Sequence, residues 1–187
     1  MIEQTLIIVK HDGVLKGIIG EIIKRFENTG LKIVGLKMLL ADDHLASNHY
    51  LATKEWAEAV FKKTKEAYEN KGKKFEYSNP LEYGKLIQNW NKNFLKEGPV
   101  VAIILEGPHA IELCRKIVGS TEPRQALPGT IRGDYTFESY ELADNQKRPV
   151  RNIVHASGSV EEAKREISLW FKKNEIHDYK HHHPYTL

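Results

Sequence analysis

The sequence predicts an α+β fold of the ferredoxin-like class, in which a βαββαβ order builds a four-stranded antiparallel sheet with helices on one face. Two patterns support this prediction. Short apolar runs rich in β-branched residues alternate with segments whose apolar residues recur at helical spacing, and glycine or proline stands at many junctions. The 187 residues contain no internal repeat and no linker, so we expect a single domain over 1–187.

The first part of the chain predicts two strands with a helix between them. Residues 4–10 form a β-branched apolar run, typical of a buried strand, that ends in a turn-rich stretch. Apolar residues between 18 and 26 recur at helical spacing, and Gly30 marks the end of that helix. A second strand over 31–40 and a short helix over 45–50 follow.

The rest of the chain predicts further helices around two more strands. A fourth strand is expected before the last helix, and a capping-box pattern, serine followed three residues later by glutamate, opens that helix. In chain order, we predict helices over 55–70 and 83–94, a strand over 100–105, a helix over 111–118, an irregular loop over 121–134, and a last helix over 160–171 that begins after Ser159.

The charge balance argues against a general affinity for nucleic acid. Lys and Arg number 28 and Asp and Glu number 25, and the net charge of +3 is mild beside the strong basic stripe of nucleic-acid-binding domains. No apolar run reaches the length of a membrane span, and the N-terminus has no secretory signal pattern. The single cysteine, Cys114, cannot form an internal disulfide, so we expect a reduced, cytoplasmic setting.

Two local features point to chemistry, although the common phosphate loops and the H-E-x-x-H metal motif are missing from the sequence. Arg132 lies between two glycines and could bind phosphate oxygens, but a surface loop with an exposed arginine is an equally good interpretation. His155 follows two apolar residues, and Ser157 and Glu166 could lie near it. A carboxylate on one imidazole nitrogen makes the other a better nucleophile, whereas a purely structural role is the usual alternative for one histidine.

These features belong to an ordered set of motifs that closely resembles nucleoside diphosphate kinase over nearly the whole chain. Each motif alone would be weak, but their joint occurrence in the family order is specific. In chain order they are Lys10-His11-Asp12-Gly13-Val14, then Arg115, then Thr121 and Pro123 with the loop over 128–134, then Asn152, His155 and Ser157.

The resemblance implies a ping-pong phosphotransferase that balances nucleotide pools. A nucleoside triphosphate such as ATP or GTP would give its γ-phosphoryl group to His155, and the phosphohistidine would pass it to GDP or a deoxynucleoside diphosphate. Mg²⁺ would arrive bridged by the nucleotide phosphates, with few direct protein ligands. The family also implies a homo-oligomer, commonly a hexamer.

The resemblance also implies roles for the residues around His155, each of which taken singly could be an ordinary surface or packing residue. Ser157 and Glu166 would support the histidine, and Tyr50 would lie beside the transferred phosphoryl group. The base would be held by stacking, for which Trp56 is our choice and Phe61 the rival. The remaining implied contacts are Arg115, Thr121 and Arg132 to the phosphates, and Lys10 and Asn152 to the sugar hydroxyls, with Lys10 also near the leaving oxygen.

The sequence departs from the family pattern in three respects. His11 stands where the family usually has proline, and Gly158 where it usually has aspartate, so Ser159 would take over as the helix cap. The chain is also longer than compact members, with extra residues at about 62–96 and 137–149. We expect the first insertion to pack against the body or a neighbouring subunit, and the second to form a polar hairpin beside the active site.

Two other functions fit parts of the sequence. A weakly active family member could act as a nucleotide-binding regulator, but the full set of site residues argues against it. An RNA-binding ferredoxin-like module would need stacking aromatics on its strands, and residues 6–9 and 100–103 carry none. The histidines at 181–183 predict a solvated tail rather than a functional metal site.

Overall fold

A computed structural model describes residues 2–70 and 72–180, so the predicted histidine tail lies outside the described residues. The strands form one antiparallel sheet in the order β2-β3-β1-β4, which is the ferredoxin-like order and confirms the predicted fold class. The strands are β1 (Ile2–Val9), β2 (Lys32–Leu39), β3 (Val100–Pro108) and β4 (Val154–Ala156).

Helices occupy most of the connections between strands, close to where helical spacing predicts them. No helix in the part of the chain that the structure describes is long and apolar enough to cross a membrane. The helices are α1 (His11–Leu15), α2 (Ile19–Glu27), α3 (Asp43–His49), α4 (Lys54–Glu69), α5 (Pro80–Lys96), α6 (Ala110–Val118), α7 (Ile131–Tyr135), α8 (Tyr140–Asn145) and α9 (Val160–Trp170), with short 3-10 helices at Pro123–Gln125 and Lys173–Glu175.

Apolar side chains cover both faces of the sheet. On one face Ile7 belongs to a core with Phe26 of α2. On the opposite face Leu6 belongs to a second core with Ala46 of α3 and Trp170 of α9. The prediction that the helices lie on one face was therefore wrong, because β1 and β3 are apolar at consecutive positions and both faces must be covered.

Three short helices replace segments that the sequence predicted as irregular. Helix α1 occupies the turn-rich stretch after β1, α7 lies inside the predicted 121–134 loop, and α8 replaces the predicted polar hairpin. Side-chain caps explain two of them: Thr130 Oγ1 accepts the N–H of Gly133 in α7, and Ser139 Oγ accepts the N–H of Leu142 in α8, each at 3.1 Å. Helices of one or two turns are too short for an apolar period to reveal.

Helices α4 and α5, which together include most of the first expected insertion, pack closely against each other. A Cβ added at Gly84 of α5 would lie 2.5 Å from the Cβ of Ala57, so only glycine permits this approach. The Phe61 ring contacts the Phe75 ring edge-on, with centroids 5.2 Å apart, and Tyr83 packs against both. Phe61 therefore contributes to the aromatic core that joins the two helices.

The two expected insertions contact each other. Tyr68 of α4 donates its hydroxyl hydrogen to Asp144 Oδ2 of α8 at 2.9 Å. Lys73, just after α4, pairs with Glu141 Oε1 of α8 at 2.7 Å. Segments that are distant in the sequence thus form one polar junction.

Candidate active site

His155 lies on β4, opposite Ile8 of β1. Its Nε2 is 3.0 Å from Glu166 Oε2, and Ser157 donates its hydroxyl hydrogen to the same oxygen at 2.6 Å. A carboxylate at Nε2 favours the tautomer with the proton on that nitrogen, which leaves the lone pair on Nδ1. The His155 side chain is 19% exposed, so Nδ1 is the candidate nucleophile.

The surroundings of His155 favour its neutral form. Burial lowers the pKa of His155, the nearby charge of Lys10 lowers it further, and Glu162 partly opposes the shift. The pKa of Glu166 is raised by burial, whereas His49 and the Ser157 hydrogen bond favour its ionised form. A neutral imidazole keeps the lone pair that nucleophilic attack requires.

His49 is a site residue that the sequence analysis did not identify. It ends α3, is 3% exposed, and its Nδ1 lies 3.4 Å from Glu166 Oε1. Its ring meets the His155 ring edge-on, with centroids 4.5 Å apart. The next residue, the predicted Tyr50, contacts the His49 ring, and burial followed by the Glu166 charge raises the pKa of its hydroxyl.

Lys10 follows β1 and is buried beside Asn152. Its Nζ donates to Asn152 Oδ1 at 2.6 Å and lies 5.5 Å from the centroid of the Phe94 ring of α5. Burial lowers the pKa of Lys10 to about 8, Asp12 opposes this shift and Arg132 adds to it. The first expected insertion therefore supplies an aromatic face to a predicted site residue.

Arg132, on α7, is held by backbone carbonyls. Its guanidinium donates to the carbonyl oxygens of Asn152 (3.2 Å), Gly119 (2.9 Å) and Val154 (2.6 Å). Burial, followed by the Arg115 charge, lowers the pKa of Arg132 to about 10. These bonds leave part of the guanidinium fork for a ligand and fix its orientation.

The other predicted phosphate contacts lie around this group. Asn152 Nδ2 donates to the carbonyl of Thr121 at 2.9 Å, so Asn152 links Lys10 to the Thr121 backbone. Arg115 of α6 is exposed and donates to the carbonyl of Ala156, next to His155, at 3.4 Å. The ring of Trp56, the predicted base-stacking residue, lies beside Gly84 of α5.

Ile153 has a strained backbone two residues before His155. Its φ is +67°, which costs a β-branched residue about 1–3 kcal/mol. Asp12 Oδ2 accepts the Ile153 N–H at 2.9 Å, and the Ile153 carbonyl accepts the Lys10 N–H at 2.7 Å. No sequence pattern signals this contact, which fixes the chain between Asn152 and His155.

The departures from the family pattern have local explanations in the structure. His11 begins α1 and its ring packs directly on Gly98, where any added Cβ would collide with it. The expected cap is confirmed, because Ser159 Oγ accepts the N–H of Glu162 at 3.1 Å. The Glu162 carboxylate accepts the N–H of Gly158 at 2.6 Å.

The assembled site suits attack on a phosphorylated substrate. A neutral nucleophile faces three cationic side chains, those of Lys10, Arg115 and Arg132, and each of them lowers the pKa of His155. A family model described as "Nucleoside diphosphate kinase" matches residues 3–73 and 76–176. The chain belongs to this family. Its members are phosphotransferases, so the predicted enzyme class is confirmed.

Relatives match the chain over nearly its full length. The nucleoside diphosphate kinase of Pyrobaculum aerophilum is 43% identical over 179 residues, which are 94% of this chain and 98% of that protein. The enzyme of Borreliella burgdorferi is 38% identical over 180 residues, covering 96% of this chain and 93% of that protein.

Solved structures of two such kinases superpose on the fold. A crystal structure of an NDP kinase from Pyrobaculum aerophilum has a TM-score of 0.90 at 41% identity, and covers 95% of this chain and 100% of that one. A transition state mimic of the Borrelia burgdorferi enzyme, with bound vanadate and ADP, has a TM-score of 0.79 at 38% identity. It covers 96% of this chain and 92% of that one.

Because the Lys10 ammonium is buried, we predict that the kinase activity decreases at alkaline pH. Above pH 8 the free enzyme loses this proton, and with it a charge that attracts nucleotide phosphates. We expect kcat/KM to fall as pH rises through about 8. The measurement is kcat/KM against pH for the wild type and for Lys10→Arg, whose guanidinium stays charged.

The decrease of kcat/KM at alkaline pH should be smaller in Lys10→Arg than in the wild type, even if that variant is slower at every pH. Lys116→Arg, a change at an exposed lysine of α6, serves as the control and should keep the decrease. An unchanged decrease in Lys10→Arg would assign the titration to another group.

Proposed function

We propose that phosphoryl transfer passes through Nδ1 of His155. The observation that carries this proposal is the Glu166 contact at Nε2, which leaves the other nitrogen as the nucleophile. The Nδ1 lone pair attacks the γ-phosphorus, the bond to the β-phosphate oxygen breaks, and a nucleoside diphosphate leaves. A second nucleoside diphosphate then attacks the phosphohistidine and restores the imidazole.

Three cations would neutralise the phosphates during this transfer. The carbonyl contacts of Arg132 hold its guanidinium in one orientation, and a fixed donor loses little entropy when the substrate arrives. The exposed Arg115 and the side chain of Thr121 would bind the outer phosphate oxygens. Lys10 and Asn152 would bind the sugar hydroxyls as a pair that is already hydrogen-bonded, and Lys10, the third cation, would also lie near the leaving oxygen.

Mg²⁺ fits this donor set as a companion of the nucleotide. The carboxylates nearest these residues in the sequence are already engaged: Asp12 accepts the N–H groups of Gly13 and Ile153, and Glu122 accepts the N–H of Tyr140. Mg²⁺ would therefore be held mainly by phosphate oxygens, where it neutralises their charge. The chain's own contribution is to bind and orient the phosphates.

A broad range of nucleotides is expected because stacking does not read base edges. With the base held by stacking, we expect ATP and GTP to serve as phosphoryl donors, and GDP and deoxynucleoside diphosphates as acceptors. The buried thiol of Cys114 fits the reduced cytoplasmic setting that we propose. The two insertions, at about 62–96 and 137–149, would form walls of this single domain beside the nucleotide.

Labelling tests the phosphohistidine. After incubation with γ-labelled ATP, we expect label on the protein that is lost in acid, stable in base, and removed by GDP. His155→Ala should abolish it, and His44→Ala, at an exposed histidine, should keep it. Equal label on His155→Ala and the wild type would refute the assignment.

Base stacking makes a separate prediction. Trp56→Ala should raise the nucleotide Kd more than Phe61→Ala does, because the Phe61 ring is engaged with Phe75 and Tyr83. Phe61→Ala should instead lower the melting temperature, because it leaves a cavity in that aromatic core. Calorimetric titration with ADP and thermal melts measure the two effects, and the opposite ranking of Kd values would make Phe61 the stacking residue.

A homo-oligomer is supported by the edge of the sheet, and the resemblance makes a hexamer the expected form. Strand β2 lies at one edge of the sheet. On this strand, or directly after it, Leu36, Met38 and Leu40 are 52%, 55% and 67% exposed. An apolar edge strand is a site where another chain pairs. We propose that a second copy of this chain covers it.

Light scattering tests this assembly. Met38→Lys should give a smaller particle than the wild type, because a charge would be buried at the contact. Leu81→Lys, at an exposed position of α5, should leave the mass unchanged. A wild-type mass equal to that of one chain would rule out the oligomer.

A further inference from the structure

We propose that His49 is a positioning residue for phosphoryl transfer, which acts on His155 through the carboxylate of Glu166. This inference rests on the proposed role of His155 as the phosphorylated residue. His49 would donate its Nδ1–H to Glu166 Oε1, so that Oε2 stays directed at Nε2 of His155.

The two carboxylate oxygens of Glu166 have different surroundings. Oε2 receives the Ser157 hydroxyl at 2.6 Å and faces His155 Nε2 at 3.0 Å. Oε1 faces His49 Nδ1 at 3.4 Å and the guanidinium of Arg165 at 3.7 Å. Because Glu166 is 1% exposed, an oxygen without a donor would be costly, and the buried His49 is the nearer of these two donors.

The position of the His49 proton follows from what each tautomer leaves unpaired. Nε2 of His49 is buried and has no hydrogen-bond partner among residues 2–70 and 72–180. A proton there would create an orphan buried N–H, and Nδ1 would turn a lone pair toward an anionic oxygen. With the proton on Nδ1, the atom of His49 that is left unpaired is an acceptor, which proteins tolerate more often than an unpaired donor.

Trp170 makes an opposing demand on the same nitrogen. Its Nε1–H points at His49 Nδ1 from 3.3 Å, a contact that would need the lone pair. The contact with Glu166 outweighs it, since hydrogen bonds to ionised groups are about twice as strong as those between neutral groups. The indole N–H then has no acceptor on His49, which is the cost of this tautomer, and the indole ring bounds the His49 ring with the two centroids 5.5 Å apart.

The His49 ring also restricts the nucleophile directly. The His155 ring meets it edge-on at an interplanar angle of 80°. The His49 ring is itself packed against the rings of Trp170 and Tyr50, so it offers the imidazole of His155 a fixed neighbour. His49 therefore limits both the carboxylate and the imidazole that the carboxylate orients.

A set of isosteric variants separates positioning from packing. His49→Asn keeps an N–H donor at the δ position, whereas His49→Leu fills similar space without one. His49→Gln moves the amide to the ε position. We expect the rate of His155 phosphorylation by saturating ATP to fall about 10–100-fold in His49→Leu and His49→Gln, the usual effect of losing a supporting hydrogen bond. His49→Asn should lie within about threefold of the wild type, with KM little changed in all three.

A double-mutant cycle with Glu166→Gln gives the decisive readout. If His49 acts through Glu166, His49→Leu should add little to the loss already caused by Glu166→Gln, whereas a packing role predicts independent, multiplying losses. Thermal melts identify variants that do not fold, and if His49→Leu is among them, the Asn and Gln pair decides.

Equal phosphorylation rates in folded His49→Leu and the wild type, or a His49→Asn variant as slow as His49→Gln, would overturn the inference. Absence of label on His155 in the wild type would instead refute the proposed function. The two failures are therefore distinguishable in the same experiment.

Discussion

The structure depends on hydrogen-bond donors that satisfy one buried carboxylate, that of Glu166. Glu166 projects from α9 into the space beside the sheet, and a charged group in that place is tolerated only when hydrogen bonds replace water. Its partners come from β4 and α3, which are distant in the sequence, so they meet only when α9 and α3 close over the same face. The contacts that make this burial possible also direct the imidazole of His155. Stability and reactivity therefore draw on the same hydrogen bonds.

The cationic side chains follow a complementary rule. Lys10 and Arg132 are buried, yet they bind amide and backbone carbonyl oxygens rather than carboxylates. Neutral acceptors hold a cation in place without cancelling its charge, so the site keeps its attraction for phosphates. The lowered pKa values of both residues are the cost of this arrangement. The mild net charge of the whole chain conceals this local concentration.

Sequence patterns predicted the helices and strands that have a regular spacing of apolar residues. They did not predict the elements that depend on a single contact. The spacing of apolar residues predicts long amphipathic helices and apolar strands. In contrast, α7 and α8 each begin at a residue whose side-chain hydroxyl caps the helix. The family resemblance supplied the roles that we propose for His155 and Glu166. It predicted neither the contact of His49 with Glu166 nor the positive φ of Ile153, because both depend on contacts between residues far apart in the chain.

The polar junction between the two expected insertions has a consequence for their motion. Tyr68 and Lys73 tie the α4 region to α8, and an opening of either side must break bonds to the other. Each segment therefore lowers the entropy that its partner loses on becoming ordered. The α4–α5 pair and α8 should share one opening equilibrium and exchange their amide hydrogens as a single cooperative unit. Two segments that are far apart in the sequence would then open and close together.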